Sequence, residues 1–246
     1  MRITRWSEAY IIEVSLKDGL KRQVHTRAKK KKQMSTINSQ ESVITLKGST
    51  ELVAQFFHYG INSILYQRGI YPAETFKQEV QYGLNMVVTD DEKLDHFLST
   101  FLKQLSDWAS KCQVQKVVLV ITGVESKEVL ERWVFDVQTP ILSDSHHTDQ
   151  ESTRKKVKAR KEIVSEIQAV IRQITASVSF LPLLNEPSSF DLLVYTNKDS
   201  NVPALWEESD PRYVNNSAQV RLRSFNTNVH KIDAFVAYKN PDDDSV

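Results

Sequence analysis

The chain has one cysteine, six glycines and no long apolar run among its 246 residues, and each scarcity removes a class of protein. A lone Cys112 admits no internal disulfide and no cysteine-rich zinc cage, which suits a reducing compartment. The glycines at 19, 48, 60, 69, 83 and 123 are never closer than nine apart. That spacing excludes a G-x-G-x-x-G turn, a Walker A loop and a G-x-S-x-G elbow. The longest clean apolar run, Val117–Ile121, is far short of the roughly 20 residues of a spanning helix. None of the six histidines lies in H-E-x-x-H or at zinc spacing from the cysteine. His146 and His147, beside Asp144 and Asp149, read as a solvated loop pair. Cys112 follows a helix beside Lys111 with no base nearby in sequence, and reads as a buried or inert thiol. The chain reads as a binder, not an enzyme, with no catalytic residue, cofactor or metal.

What is present is divided unevenly. The formal net charge is +1, yet residues 1–33 hold 10 Lys/Arg against 3 Asp/Glu, and residues 34–246 hold 22 against 28. The basic part contains the run Lys29-Lys30-Lys31-Lys32, read as a solvated charge run and not as a nucleic-acid site. Residues 1–42 show little periodicity and no signal-peptide core, so they are expected to be disordered. Met34 is a second candidate start, and residues 1–33 read as an extension that need not be native.

Val43–Leu46 is expected to be a short strand, followed by a helix capped by Ser49 and carrying Glu51 in its first turn. Leu52, Val53, Phe56, Phe57, Ile61, Ile64 and Leu65 cover over half its circumference, so this helix belongs in the middle of a domain. Gly60, costing about 1 kcal/mol relative to Ala, implies close packing there. Gly69 and Pro72 end the helix. A strand follows over Leu84–Val88. Asp90 or Asp91 then caps a second helix, with Leu94, Phe97, Leu98, Phe101, Leu102, Leu105 and Trp108 on one stripe. Val117–Thr122 and Glu131–Gln138 read as strands. Residues 139–162 form a polar loop into a third helix, whose stripe is Ile163, Ile167, Val170, Ile171, Ile174 and Val178. Arg172 lies about 140° from the centre of that stripe and faces away from the core. Phe190–Thr196, Gln219–Phe225 and Val229–Lys239 are strands. Interleaved helices and strands without βαβ repetition predict an α+β domain with a mainly antiparallel sheet.

The phrases LKGSTELVAQFFHYGINSILYQRGIYPAETF (46–76), ERWVFDV (131–137), IRQITASVSFLPLL (171–184), VP..WEESDP (202–211) and VRLRSFNTNVHKI…VAYK (220–239) carry a resemblance. In order and over nearly 200 residues, the chain resembles the mitotic-arrest-deficient spindle-checkpoint family of the HORMA fold. The extension before Met34 has no counterpart there, and the 139–162 loop is longer than usual. The resemblance implies three helices packed on the sheet over residues 43–240. It also implies a mobile C-terminal "safety belt" of about 199–246, with 241–246 as a tail.

It implies a signalling role as well, in the nucleus, at kinetochores in mitosis and in the cytoplasm, away from membranes. Such a protein captures a short motif of the activator subunit of the anaphase-promoting complex, or of a coiled-coil kinetochore receptor. Capture accompanies conversion from an open to a closed conformer, and delays anaphase. A closed-state adaptor and a AAA+ ATPase reopen the closed form. Capture is expected as strand addition beside Phe190–Thr196, where Leu192 and Val194 lie. By resemblance Trp108 and Tyr238 border the ligand, and Arg172, Gln173 and Phe180 form the interface for the open–closed self-dimer and the adaptor. From the residues alone, Trp108 reads as a core residue and Arg172 as part of a solvated face. The runner-up is a HORMA adaptor of another pathway, such as the accessory subunit of translesion polymerase zeta.

Overall fold

The computed structural model describes residues 9–14, 44–139 and 158–240. Three α-helices among them, α1 (Leu46–Gln67), α2 (Glu92–Ser110) and α3 (Arg160–Ala176), bury their apolar stripes in one core against an antiparallel sheet. The strands are β1 (Ala9–Val14), β4 (Val114–Gly123), β5 (Val129–Gln138), β6 (Ser188–Asn197), β7 (Glu207–Glu208), β8 (Ser217–Arg221), β9 (Phe225–Asn226) and β10 (Lys231–Lys239). Their order is β7-β1-β6-β4-β5-β10-β8, with β9 also paired to β10. A separate hairpin joins β2 (Phe76–Gln81) to β3 (Leu84–Thr89) through Tyr82 and Gly83, both at positive φ (53° and 66°). Two successive positive φ values match the twist of the flanking strands.

Local chemistry explains the helix limits. Thr45 caps α1, its hydroxyl accepting from the Gly48 N–H at 3.2 Å, so the strand expected over 43–46 does not form at its described residues. Ser49 is not the cap either: its hydroxyl lies 2.5 Å from the Thr227 hydroxyl and 2.6 Å from His230 Nδ1. Gly69 follows α1 at φ +63°, a left-handed stop as expected. A Cβ at Gly60 would meet Ile174 at 3.8 Å and Phe56 at 3.9 Å, ordinary contacts, so close approach is not what this glycine provides. Asp91 caps α2, its carboxylate accepting from the Lys93 and Leu94 N–H groups at 3.0 and 2.8 Å. Cys112, just past α2, is exposed rather than buried. On α3 the stripe is buried from Ile163 to Ile174. Val178, expected on it, is 43% exposed because a tighter 3-10 turn over Ser177–Ser179 breaks the helical period.

The central strands are buried on both faces. Val117, Leu119, Ile121, Trp133 and Phe135 face the helices, while Val118, Val120 and Val134 join Leu193 in a second, smaller cluster behind the sheet. This explains the near-continuous apolar runs of β4 and β5. A buried ion pair ties the end of α1 to β5: Arg68 and Glu131 are 2.5 Å apart, each almost fully shielded. Burial pushes the Glu131 carboxyl up, and the Arg68 charge and the Trp133 indole N–H oppose that shift.

The expectation that residues 1–42 are disordered fails for Ala9–Val14, which pair along the whole of β1 with β6. The run Tyr-Ile-Ile-Glu-Val has strong strand propensity, and a sheet edge supplies the hydrogen bonds that the segment lacks alone. The rest of 1–42, residues 140–157 within the expected loop (with His146 and His147), and the tail 241–246 lie outside the described residues. Residues 160–162, placed in that loop, begin α3. The strand expected over Gln219–Phe225 is divided into β8 and β9.

Candidate functional site

The site is the outer edge of β6, at the opposite end of the sheet from the β10–β8 pair. Phe190, Leu192, Val194 and Thr196 face the helices, and Asp191, Leu193 and Tyr195 alternate behind. The edge is occupied. β1 runs antiparallel along it, with Ile12 opposite Val194 and Val14 opposite Leu192. On its far side Ile12 and Glu13 pair with Glu208 and Glu207 of β7. A six-residue strand is thus held between a rigid strand and a two-residue clamp.

The clamp belongs to residues 198–216, which leave β6 at one edge and rejoin the sheet as β8 at the other. Two groups of contacts fasten this crossing. At its start Trp206, 7% exposed, stacks on Phe101 (centroids 5.8 Å apart) and meets Trp108 edge-on at 4.8 Å. The Trp108 indole N–H donates to the Asn201 carbonyl at 3.0 Å. Further on, the chain crosses the face of the sheet away from the helices. There Arg132 of β5 donates to the Pro211 carbonyl (3.2 Å) and the Tyr195 hydroxyl (2.8 Å), and lies 5.0 Å from the Tyr213 ring. Arg212 forms an ion pair with Asp191, which is almost fully buried on β6.

Beyond the crossing, the C-terminal strands are locked onto β5. His230 is fully buried, its Nδ1 toward Ser49 of α1 and its Nε2 3.3 Å from the Ala109 carbonyl of α2. Burial lowers its pKa, and the Ala109 carbonyl opposes that shift. An Nε2–H tautomer, donating to Ala109 and accepting from Ser49, satisfies both contacts.

The residues expected at the site divide. Leu192 and Val194 lie on the occupied edge, and Trp108 lies under the start of the crossing segment. Tyr238 does not join them. It sits on β10, opposite Glu131 and Ala218 at the other end of the sheet, where it lines a groove with Leu183, Leu184 and Glu186. The β10 register decides this, since the whole strand pairs with β5. Arg172 is exposed on α3 as its angle predicts, and Gln173 Oε1 accepts from the Arg223 N–H at 2.5 Å. Phe180 is 45% exposed just past the helix. Trp206, Arg132, Asp191 and His230 were not singled out by sequence reasoning. Only Trp206, a tryptophan in a proline-bearing loop, offered a signal.

Among the described residues no group of three or more His, Cys, Asp or Glu side chains is placed to hold a metal, and no helix is long and apolar enough to cross a membrane. Three helices on an antiparallel sheet are the architecture of a HORMA domain. The HORMA domain family model matches residues 49–230. The chain is 56% identical over 200 residues to the mitotic spindle assembly checkpoint protein MAD2A of Dictyostelium discoideum, covering 81% of this chain and 95% of that protein. It is 54% identical over 206 residues to human MAD2A, covering 84% and 98%. A crystal structure of the mitotic checkpoint complex contains a chain of 46% identity and TM-score 0.70, covering 78% of this chain and 99% of that one. The Caenorhabditis elegans protein HTP-2, solved bound to a HIM-3 closure motif, shares the fold at 13% identity and TM-score 0.65 over 80% and 93%. The chain belongs to the HORMA-domain family of mitotic spindle assembly checkpoint proteins.

Proposed function

We propose that this checkpoint protein captures a short extended motif on the β6 edge beneath residues 198–216. The motif belongs to the activator subunit of the anaphase-promoting complex or to a coiled-coil kinetochore receptor. Capture delays anaphase, and the chain acts as a non-catalytic adaptor in the nucleus, at kinetochores and in the cytoplasm. One observation carries this reading: a six-residue strand fits between β6 and β7, bonded on both sides.

Strand addition alone is weak. About six hydrogen bonds at roughly 0.5–1.5 kcal/mol each barely exceed association costs of at least about 4 kcal/mol. A segment closed over the ligand supplies the rest by slowing release, which must await local opening of the crossing. β10 pairs with β5 and β8 with β10, so neither takes the β6 edge, an arrangement that suits a closed conformer. An open conformer would be a second packing of the same chain, from which a closed-state adaptor and a AAA+ ATPase would recycle the protein.

Leu192, Val194 and Trp108 serve the ligand in this reading. Arg172, Gln173 and Phe180 form the patch for self-dimerisation and for the adaptor, an arginine and an aromatic being common hot-spot chemistry. The test uses a labelled peptide of the activator motif and Arg172→Glu. Self-association weakens about 30-fold by analytical sizing, and peptide uptake stays within about twofold. No slow-releasing peptide complex in any variant would end the capture reading. Loss of uptake in Arg172→Glu would end the assignment of two separate surfaces.

A further inference from the structure

We infer that the chain carries its own ligand: Ala9–Val14 is a tethered strand that fills the capture edge in cis and competes with partner peptides. The inference rests on the capture reading above and extends it to regulation.

Three observations support it. β1 does not merely abut the sheet, because it pairs along all six residues with β6 and then with β7 on its outer side. It is therefore inside the clamp, where an added peptide strand would go. Its register follows the sheet: Ile12 and Val14 are partners of Val194 and Leu192, which belong to the helix-side core, and Tyr10 is the partner of the buried Thr196. Ala9, Ile11 and Glu13 are partners of the alternate positions Asn197, Tyr195 and Leu193. A one-residue slip would exchange the two sets. The tether also reaches. Roughly 30 residues join β1 to α1, an extended span of about 100 Å, against a seven-strand path about 30 Å wide.

A tethered strand acts at an effective concentration on the order of 1 mM. A free peptide must displace it or wait for it to leave, and only the fraction of molecules with an empty edge is competent. Partner capture is then autoinhibited without any contact at the partner's own residues. The Tyr-Ile-Ile-Glu-Val run thereby acquires a role that the charge run beside it does not need.

The experiment measures uptake of two labelled probes, a peptide of residues 5–16 of this chain and the activator-motif peptide. The proteins are the full chain, the full chain with Ile12→Pro, and a chain beginning at Met34, which keeps the whole matched region 49–230. Proline at 12 removes a ladder donor from β1 and touches nothing in the matched region. The full chain is expected to take up both probes about 100-fold more weakly than the Met34 chain, with Ile12→Pro restoring most of the difference. Equal uptake of the residue 5–16 peptide by the full and Met34 chains overturns the inference. So does a Met34 chain that takes up the activator peptide but not the residue 5–16 peptide, an outcome that leaves the capture reading standing. Uptake of the residue 5–16 peptide alone upholds self-capture and overturns the activator as partner. Association between copies that persists with Arg172→Glu but vanishes with Ile12→Pro places β1 in a neighbouring copy and overturns the cis assignment.

Discussion

The two ends of the sheet are closed in different ways. At the other end β10, covered in turn by the shorter β8, is long and apolar: Ile232, Ala234 and Val236 are buried, and His230 bridges to α1 and α2. At the β6 end the closing strand is β1, clamped by two exposed glutamates of β7. The crossing segment behind that clamp is held by Trp206, by the Trp108 bond to the Asn201 carbonyl and by the contacts of Arg132 and Arg212 across the back of the sheet. Local opening free energy follows buried apolar contact. The β10 end should therefore open only with the whole domain, and the β6 end on its own. The strand capture proposed above would need that inequality.

The most severe way to break the comparison is to place a charge under the sealed end. Val236→Asp buries an unpaired carboxylate at a fully shielded position and is expected to cost more than about 4 kcal/mol. Circular dichroism should show the cooperative melt lost or shifted down by tens of degrees. A melt within a few degrees of the parent would mean the β10 end is no more integral than the β6 end.

Next comes the anchor of the crossing. Trp206→Ala removes the stack on Phe101 and the edge contact with Trp108, a loss of about 3 kcal/mol. Hydrogen exchange should quicken at residues 198–216, peptide release should accelerate, and the amides of β10 should hold. Equal acceleration at both ends would show the two are one cooperative unit.

Acid gives a smaller effect, at the sealed end. The folded-state pKa of His230 lies below its ordinary value of 6.5, so the folded protein binds fewer protons than the unfolded chain there. Its stabilising effect is complete above 6.5 and declines as pH falls through 6.5 toward the lowered value. Urea midpoints should fall with acidification over this range, and His230→Phe should flatten the dependence. His58 is also lowered by burial, opposed by Glu79 and Asp95, and contributes in the same direction. An unchanged pH profile in His230→Phe would remove the histidine from the lock.

The smallest effect is a uniform one. Gly60→Ala adds a methyl at ordinary contact distance inside α1 and should stabilise the domain by about 0.5–1 kcal/mol. Global protection at β10 should rise while the opening of residues 198–216 is unchanged. A rise at both ends would tie the crossing to the global transition.

How much of this was legible in the sequence depended on the range of the interaction. The Asp90-Asp91 pair announced the start of α2 because a cap bonds residues two and three positions ahead, and the structure selects Asp91. The stripes of α1, α2 and α3 and the outward direction of Arg172 follow from helical period alone. Thr45 and Ser49 were confused because both lie near a helix start, and the partners that commit Ser49 are almost 180 residues away. Cys112 was expected to be buried or inert, yet the turn after α2 exposes it. Tyr238 was assigned to the ligand, whereas the β10 register carries it to the other end of the sheet.

The sequence by itself determined the helices, most strands, the α+β class and the family, because these rest on local period, capping and long shared phrases. Tertiary structure alone decided which strand closes each edge. β1 and β7 are too short to signal a partner, and their hydrogen bonds exist only where another strand leaves its own unpaired. The basic N-terminal part, read from the sequence as an extension, thereby supplies the strand on the edge where a partner is proposed to bind.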